Sequence, residues 1–247
     1  MTRWKAALIH VLISFAIVGA VASYIIYFWY PLELIHMAKA DKLLMLVGGV
    51  DLMIGPLLTL VVFRTGKPGL RFDLTVIAML QAGFLSFGLY SIYASRPVYL
   101  VASATRFDLV FANEISPARL AQASDSRFAS LGVTGPRLVG ARMPTDAKEK
   151  NAILYSALAG NGDLETMPKY YVDYASITGE LLAHSLPIAP NPEMTPAVVR
   201  QFRQAAQSFG RKPEEVRVLR LGSSRGFAAI LVESGTGKVL GPVNLDF

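Results

Sequence analysis

A single carboxylate, Asp51, lies inside the second of three long apolar stretches that open the chain, Leu43–Phe63. A charged side chain near the middle of a bilayer costs at least about 2.5–3.5 kcal/mol, so such a residue normally faces protein rather than lipid. Helical spacing places three further residues on the face of Asp51, namely Gly48, Gly55 and Thr59. Because small residues let another helix approach closely, this face is predicted to be a contact face.

Proline adds a backbone feature to the same segment. Pro56 has no N–H to donate to the carbonyl of Leu52, so it is predicted to kink the helix and leave an acceptor free one turn from Asp51. Residues at a similar depth in the neighbouring segments are the expected hydrogen-bond partners of Asp51: Ser23, Tyr24, Gln81 and Ser86.

Three interpretations of Asp51 stay open at this stage. Its carboxyl could lock a three-helix bundle through a protonated hydrogen bond, it could contact the helix of a partner protein, or it could transfer ions or protons. Intramembrane ionisable residues often have a function. A pump would need a relay of further ionisable groups, and the apolar stretches do not supply one.

No other residue pattern indicates catalysis or metal binding. The chain has no cysteine, and His10, His36 and His184 do not pair at metal-ligand spacing. Gly235–Lys238 resembles part of a phosphate-binding loop but lacks its first glycine and its final Ser or Thr, so it is predicted to be a hairpin loop. We therefore expect neither an enzyme nor a bound metal or cofactor.

Three apolar segments must position Asp51. Ala6–Trp29, Leu43–Phe63 and Leu74–Tyr93 each reach the roughly 20 residues that a helix needs to cross a bilayer. The first is predicted to be retained as an anchor, because its apolar run is longer than that of a cleaved signal. Residues 1–95 are thus predicted to form a three-helix transmembrane domain, with helices at about 6–29, 43–63 and 74–93.

Charge predicts the orientation. Lysines and arginines favour the cytoplasmic side, and five of them flank the predicted inner ends of the helices against three at the outer ends. The amino terminus is therefore predicted to be cytoplasmic and the region after residue 96 to lie outside the cytoplasm. The net charge of +6 comes mostly from residues beside the helices, with no basic stripe typical of nucleic-acid binding.

Residues 96–247 are predicted to form an α+β domain with antiparallel strands. Five short β-type runs occur at 98–102, 107–111, 216–221, 227–233 and 238–240. Helices are predicted at 146–158 and 196–208, the second with Thr195 as its N-cap. A proline-rich connector is predicted at 185–196.

Several longer strings resemble one known family. They are Tyr30-Pro31, Gly49-VDLMIGPLLTLVV-Phe63, Arg96-PVYLV-Val101, Arg106-Phe107 and Ala112-NE-Ile115. In these strings the chain resembles the type IV pilin accessory proteins of the TfpX/TfpZ family over about residues 1–115. The last 30 residues are also consistent with the family, and nothing transfers for about 120–215.

The resemblance implies a bacterial inner-membrane protein with a periplasmic domain that assists pilus assembly or pilin handling. It brings no catalytic residues. It marks Asp51, Gly55 and Pro56 in the membrane, and a second group at the membrane–domain junction: Arg96, Pro97 and Tyr99. The implied partners are a type IV pilin subunit, other pilus assembly components and membrane lipid, with no nucleic acid.

The resulting hypothesis is a non-enzymatic, chaperone-like accessory protein. The intramembrane face of Gly48, Asp51, Gly55, Pro56 and Thr59 would hold the apolar helix of a pilin, and the outer domain would touch its head. The alternative is a membrane-anchored periplasmic sensor or ligand-binding protein, against which the short inner loop, 64–73, argues because it cannot form a signalling module.

Overall fold

The computed structural model describes residues 1–31, 34–189 and 194–243. The chain divides into two compact units. The first, here called the helical unit, comprises Met1–Trp29 and Lys39–Ser95, and the second, called the sheet unit, comprises Tyr30–Ala38 and Arg96–Phe247. The sheet unit therefore includes a short segment from the loop between the first two apolar stretches.

Three long helices make up the helical unit, and a fourth, short helix (α2) belongs to the sheet unit. They are α1 (Arg3–Phe28), α2 (Leu34–Met37), α3 (Ala40–Val62) and α4 (Leu70–Ala94). Helices α1, α3 and α4 are each long and apolar enough to cross a membrane. The prediction of three long apolar helices is therefore confirmed.

Particular residues account for the start of α1 and for the course and packing of α3. The Thr2 hydroxyl accepts a hydrogen bond from the Lys5 N–H at 3.3 Å and so caps α1. Helix α3 continues without a break through Pro56. At Gly48, an added Cβ would lie 2.9 Å from Cγ1 of Val18, so glycine allows α3 to pack closely on α1.

In the described part of the sheet unit, eight strands form one mixed sheet. They are β1 (Pro97–Ala102), β2 (Arg106–Phe111), β3 (Arg137–Ala141), β4 (Tyr171–Val172), β5 (Leu186–Pro187), β6 (Val216–Ser223), β7 (Gly226–Glu233) and β8 (Val239–Val243). The order is β4-β3-β1-β2-β6-β7-β8, and β5 pairs with β6.

The prediction of antiparallel strands is wrong in part. The hairpins β1–β2, β6–β7 and β7–β8 are antiparallel, but β1 pairs with β3, and β2 with β6, in parallel. Strands joined by a tight turn must run in opposite directions, whereas a long connection lets the chain return and pair in the same direction. Long connections precede both β3 and β6.

Short helices surround the sheet. They are α5 (Pro117–Leu120), α6 (Ala147–Leu158), α7 (Thr178–Ala183) and α8 (Pro196–Ser208), with single 3₁₀ turns at Ala112–Glu114, Ser126–Phe128, Leu164–Thr166, Pro168–Tyr170, Tyr174–Ser176 and Pro213–Glu215. Asp146 and Thr195 cap α6 and α8 with their side chains. Of the predicted connector 185–196, residues 190–193 lie outside the described residues.

Among the described residues, two of the apolar clusters packed against the sheet are defined in full. The first gathers around Tyr99, Val110 and Ile153 and joins β1, β2 and α6. The second gathers around Phe202 and Val218 and joins α8 to β6 and β7. Strand β2 thus contributes to the first core and β6 to the second, so the boundary between these two cores lies where β2 and β6 pair.

Candidate functional site

The predicted intramembrane face of α3 lies inside the helical unit. All five of its residues are buried: Gly48, Asp51, Gly55, Pro56 and Thr59. Asp51 is 4% exposed and Thr59 3% exposed. This burial arises within the chain itself, from the packing of α1 and α4 on α3.

His10 on α1 connects this face to the third long helix. Its Nδ1 lies 2.6 Å from the Thr59 hydroxyl of α3, and its Nε2 lies 2.6 Å from Oε1 of Gln81 on α4. One imidazole therefore bridges all three long helices. The sequence had indicated only an isolated histidine here.

The side-chain amide of Gln81 extends the network to Asp51. Its Nε2 donates to the backbone carbonyl of Asp51 at 3.0 Å, which leaves Oε1 as the acceptor that faces His10. Nε2 of His10 must then carry a proton, and in the neutral ring Nδ1 accepts from the Thr59 hydroxyl. The hydrogen-bond pattern thus assigns the Nε2–H tautomer.

The carboxyl of Asp51 takes no part in that network. Its Oδ1 is buried and has no hydrogen-bond partner in the part of the chain that the structure describes. Gln81, one of the expected partners, reaches the backbone of Asp51 instead of its side chain. Ser23, another expected partner, donates to the Gly19 carbonyl of its own helix. A buried polar atom left in this way costs stability unless a partner is supplied.

Gly55 makes room for the network. An added Cβ at this position would lie 2.0 Å from Nε2 of Gln81, far closer than atoms can pack. Any side chain larger than that of glycine would therefore displace Gln81 from Asp51 and from His10. We call His10, Asp51, Gly55, Thr59 and Gln81 the bundle network.

The residues predicted at the membrane–domain junction are all buried in the sheet unit, and Tyr99 belongs to its first core. Arg96 is 4% exposed, and its Nε and Nη2 donate to the Gly132 carbonyl at 3.2 and 2.5 Å. Pro97 is the first residue of β1. The Tyr99 hydroxyl donates to the Ser130 carbonyl at 3.2 Å, and burial raises the pKa of Tyr99. Both polar side chains thus fasten the loop before β3 to the start of β1.

Three membrane-length helices followed by a mixed-sheet unit define a membrane-anchored protein with a soluble C-terminal domain. The chain is 26% identical over 245 residues to the fimbrial assembly protein of serogroup E1 of Dichelobacter nodosus, covering 98% of this chain and 95% of the relative. The serogroup I protein shows the same identity and coverage. The protein of serogroups C1 and C2 is 32% identical over 99 residues, covering 39% of this chain and 76% of the relative.

This chain therefore belongs to the family of fimbrial assembly proteins. No family model and no solved structure matches it. The relatives are named for fimbrial assembly and not as TfpX/TfpZ, so that finer assignment stays a prediction.

Proposed function

We propose that this protein is a non-enzymatic accessory factor of type IV pilus biogenesis in the bacterial inner membrane, with its sheet unit in the periplasm. The observation that carries the proposal is the relationship to fimbrial assembly proteins over 98% of the chain. The distribution of lysine and arginine beside the helices supports the orientation. The TfpX/TfpZ resemblance supports the link to a pilin.

Within this function, the bundle network contacts the apolar helix of a pilin subunit. The support for this contact is the hydrogen bonding of the buried face. The buried Asp51 Oδ1 has no partner among the described residues, so a hydrogen-bond donor on an incoming helix would relieve an existing cost. Because α1 and α4 cover this face, binding requires one of them to move aside. The hydrogen bonds of His10 to Thr59 and Gln81 must then break.

Deletion of the gene tests the broad function. We expect loss or marked reduction of surface pili, counted by electron microscopy, and restoration by the wild-type gene. Normal piliation after deletion would contradict the proposal as a whole.

Asp51→Asn tests the contact itself, with Asp73→Asn as the matched control. Asp73 lies near the start of α4 in an exposed pair with Lys67, outside the bundle network. A photo-cross-linking amino acid at Leu58, which is 39% exposed and lies two turns from Asp51 on the same side of α3, reports pilin capture. We expect Asp51→Asn to lower cross-linking and piliation while Asp73→Asn leaves both unchanged. If the Asp51 variant cross-links and supports pili like the wild type, the carboxyl has no role in the contact.

A further inference from the structure

One face of the middle strands β2 and β6 carries charged residues, whereas the opposite face is apolar and buried, with Phe107 paired to Leu221. In the parallel pair β2–β6, Arg106 is aligned with Arg220, and Asp108 with Gly222. Alternate residues of a strand share a face, so Arg106 and Asp108 lie on the face of Val110, which belongs to the first core. The charged residues thus fill the gap between the two cores.

Three carboxylates surround the guanidinium of Arg106. Its Nε donates to Oδ2 of Asp108 at 2.8 Å, and its Nη2 lies 3.8 Å from Asp163 and 3.7 Å from Glu165. Asp108 is only 8% exposed, and burial raises the pKa of Asp108 and of Glu165. Gly222 admits the buried carboxylate, since an added Cβ would lie 2.8 Å from Oδ1 of Asp108. Asp108 is the buried member of the cluster, whereas the side chains of Glu165 and Asp163 keep 21% and 40% of their exposure and face the solvent side.

Two cavities, of about 640 and 400 Å³, adjoin this cluster, and both are walled by Arg106, Asp108 and Glu165. The larger one is also lined by Arg220 and by Phe227. Phe227 is 78% exposed, which is unusual for a phenylalanine in a strand. We call the two cavities together the cleft. The Arg106 cluster forms its floor, and the aromatic side chain of Phe227 lies at its rim.

The loop that supplies two of the carboxylates is held firmly. Arg119, which is half-buried, donates to the Thr166 hydroxyl at 2.6 Å, to the Ser156 hydroxyl at 3.4 Å and to the Asn161 carbonyl. These contacts fix both ends of the segment that carries Asp163 and Glu165. The cleft is therefore preorganised, which lowers the cost of binding.

We propose that this cleft binds a lysine or arginine side chain of a partner polypeptide, with a neighbouring apolar side chain of that partner packed on Phe227. The larger cavity is lined by three carboxyl groups, of Asp108, Glu114 and Glu165, and by two guanidinium groups, of Arg106 and Arg220, so an added cation improves the charge balance. A metal ion does not fit, because Arg106 occupies the centre, and the described residues contain no group of three or more His, Cys, Asp or Glu arranged to hold one.

A direct binding measurement tests the proposal on the full-length protein in detergent micelles. Because the chain lacks cysteine, Ser224→Cys provides a unique site for an environment-sensitive fluorophore at the wall of the larger cavity. The probe is the peptide acetyl-Ala-Lys-Phe-Ala-amide, and its counterpart carries Glu in place of Lys. We expect saturable binding of the lysine peptide, with a Kd in the range of about 0.1–10 mM, and none of the glutamate peptide.

Matched variants locate the binding. Glu165→Gln should weaken binding of the lysine peptide roughly tenfold, the loss expected for one charged hydrogen-bond partner, whereas Glu214→Gln, at an exposed acid away from the cleft, should leave it unchanged. Phe227→Ala should weaken it several-fold, and Tyr155→Ala, at an exposed aromatic on α6, should not. Circular dichroism confirms that each variant is folded.

Three results would overturn the proposal. One is the absence of saturable binding, another is equal binding of both peptides, and the third is equal affinity of the Glu165 and Glu214 variants. Spermidine that binds as tightly as the peptide would refute the assignment to a polypeptide. These readouts do not depend on piliation, so they stand or fall separately from the proposed function.

Discussion

Gly55→Ala is the sharpest test of the bundle network. The new methyl group would lie 2.0 Å from Nε2 and 2.3 Å from Cδ of Gln81, so this side chain must leave its place. Its bonds to the Asp51 carbonyl and to His10 are then lost. Because Gln81 has a flexible side chain, we expect the helices to keep their packing. The loss of stability should then come from the hydrogen bonds that Gln81 no longer makes.

The expected loss of stability in Gly55→Ala follows from the polar groups that are left without a hydrogen-bond partner. A buried donor or acceptor without a partner costs about 1–3 kcal/mol, although interhelical hydrogen bonds in membrane proteins average only about 0.6 kcal/mol. Alanine recovers up to about 1 kcal/mol of helix propensity relative to glycine. Gly49→Ala provides the matched control, since an added Cβ there meets no atom within 4 Å. The propensity gain cancels between the two variants, so Gly55→Ala should be less stable than Gly49→Ala by about 1–3 kcal/mol.

Unfolding by sodium dodecyl sulfate in mixed micelles, followed by circular dichroism, measures this difference. A double-mutant cycle with His10→Leu adds a second check, because without the imidazole part of the network is already absent. The cost of Gly55→Ala should then shrink. Equal stability of the Gly55 and Gly49 variants, or an unchanged cost in the His10→Leu background, would refute the network as described.

Two further predictions concern the sheet unit. Arg119→Met should lower its free energy of unfolding by about 2–3 kcal/mol, because the guanidinium contacts to Thr166 and Asn161 are lost, and should speed limited proteolysis of the loop carrying Glu165. For Glu165, burial raises the pKa above 4.5, so the folded state favours the protonated form. The stability of the wild type relative to Glu165→Gln should therefore fall as the pH rises from about 4.5 through the raised pKa, and a flat difference in chemical denaturation between pH 4 and pH 8 would contradict this assignment.

Secondary structure is predictable wherever the residues of a single segment are enough to indicate it. The three long helices follow from apolar length, and α6 and α8 begin at Asp146 and Thr195, whose caps the sequence displays. Strand β3, Arg137–Ala141, gave no such signal, because it is short and contains glycine. Parallel pairing is not predictable in this way, because alternation within a strand carries no information about the direction of a neighbouring strand reached through a long connection.

The bundle network was only half predictable for a related reason. Spacing within α3 was enough to place Asp51, Gly55 and Thr59 on one face. The sequence predicts an isolated His10 because its partners lie 49 and 71 residues away along the chain. The signal that could indicate His10 is depth in the bilayer, since its partners on the neighbouring helices lie at the same depth.

The two buried aspartates differ in whether a hydrogen-bond partner offsets their burial, and neutralisation tests each one. Asp108 has Arg106 at 2.8 Å, but burial outweighs this pair and raises the pKa of Asp108, so Asp108→Asn should change the free energy of unfolding of the sheet unit at neutral pH by less than about 1 kcal/mol. Asp51 has a carboxyl oxygen with no partner among the described residues. Asp51→Asn removes a chargeable group from the membrane interior and should leave the helical unit equally stable or more stable by about 1–2 kcal/mol. A variant that gains stability and loses pilin contact would show that the carboxyl serves binding and not folding. Loss of stability in the Asp51 variant, measured in the same micelle assay, would instead make the carboxyl a structural element of the bundle.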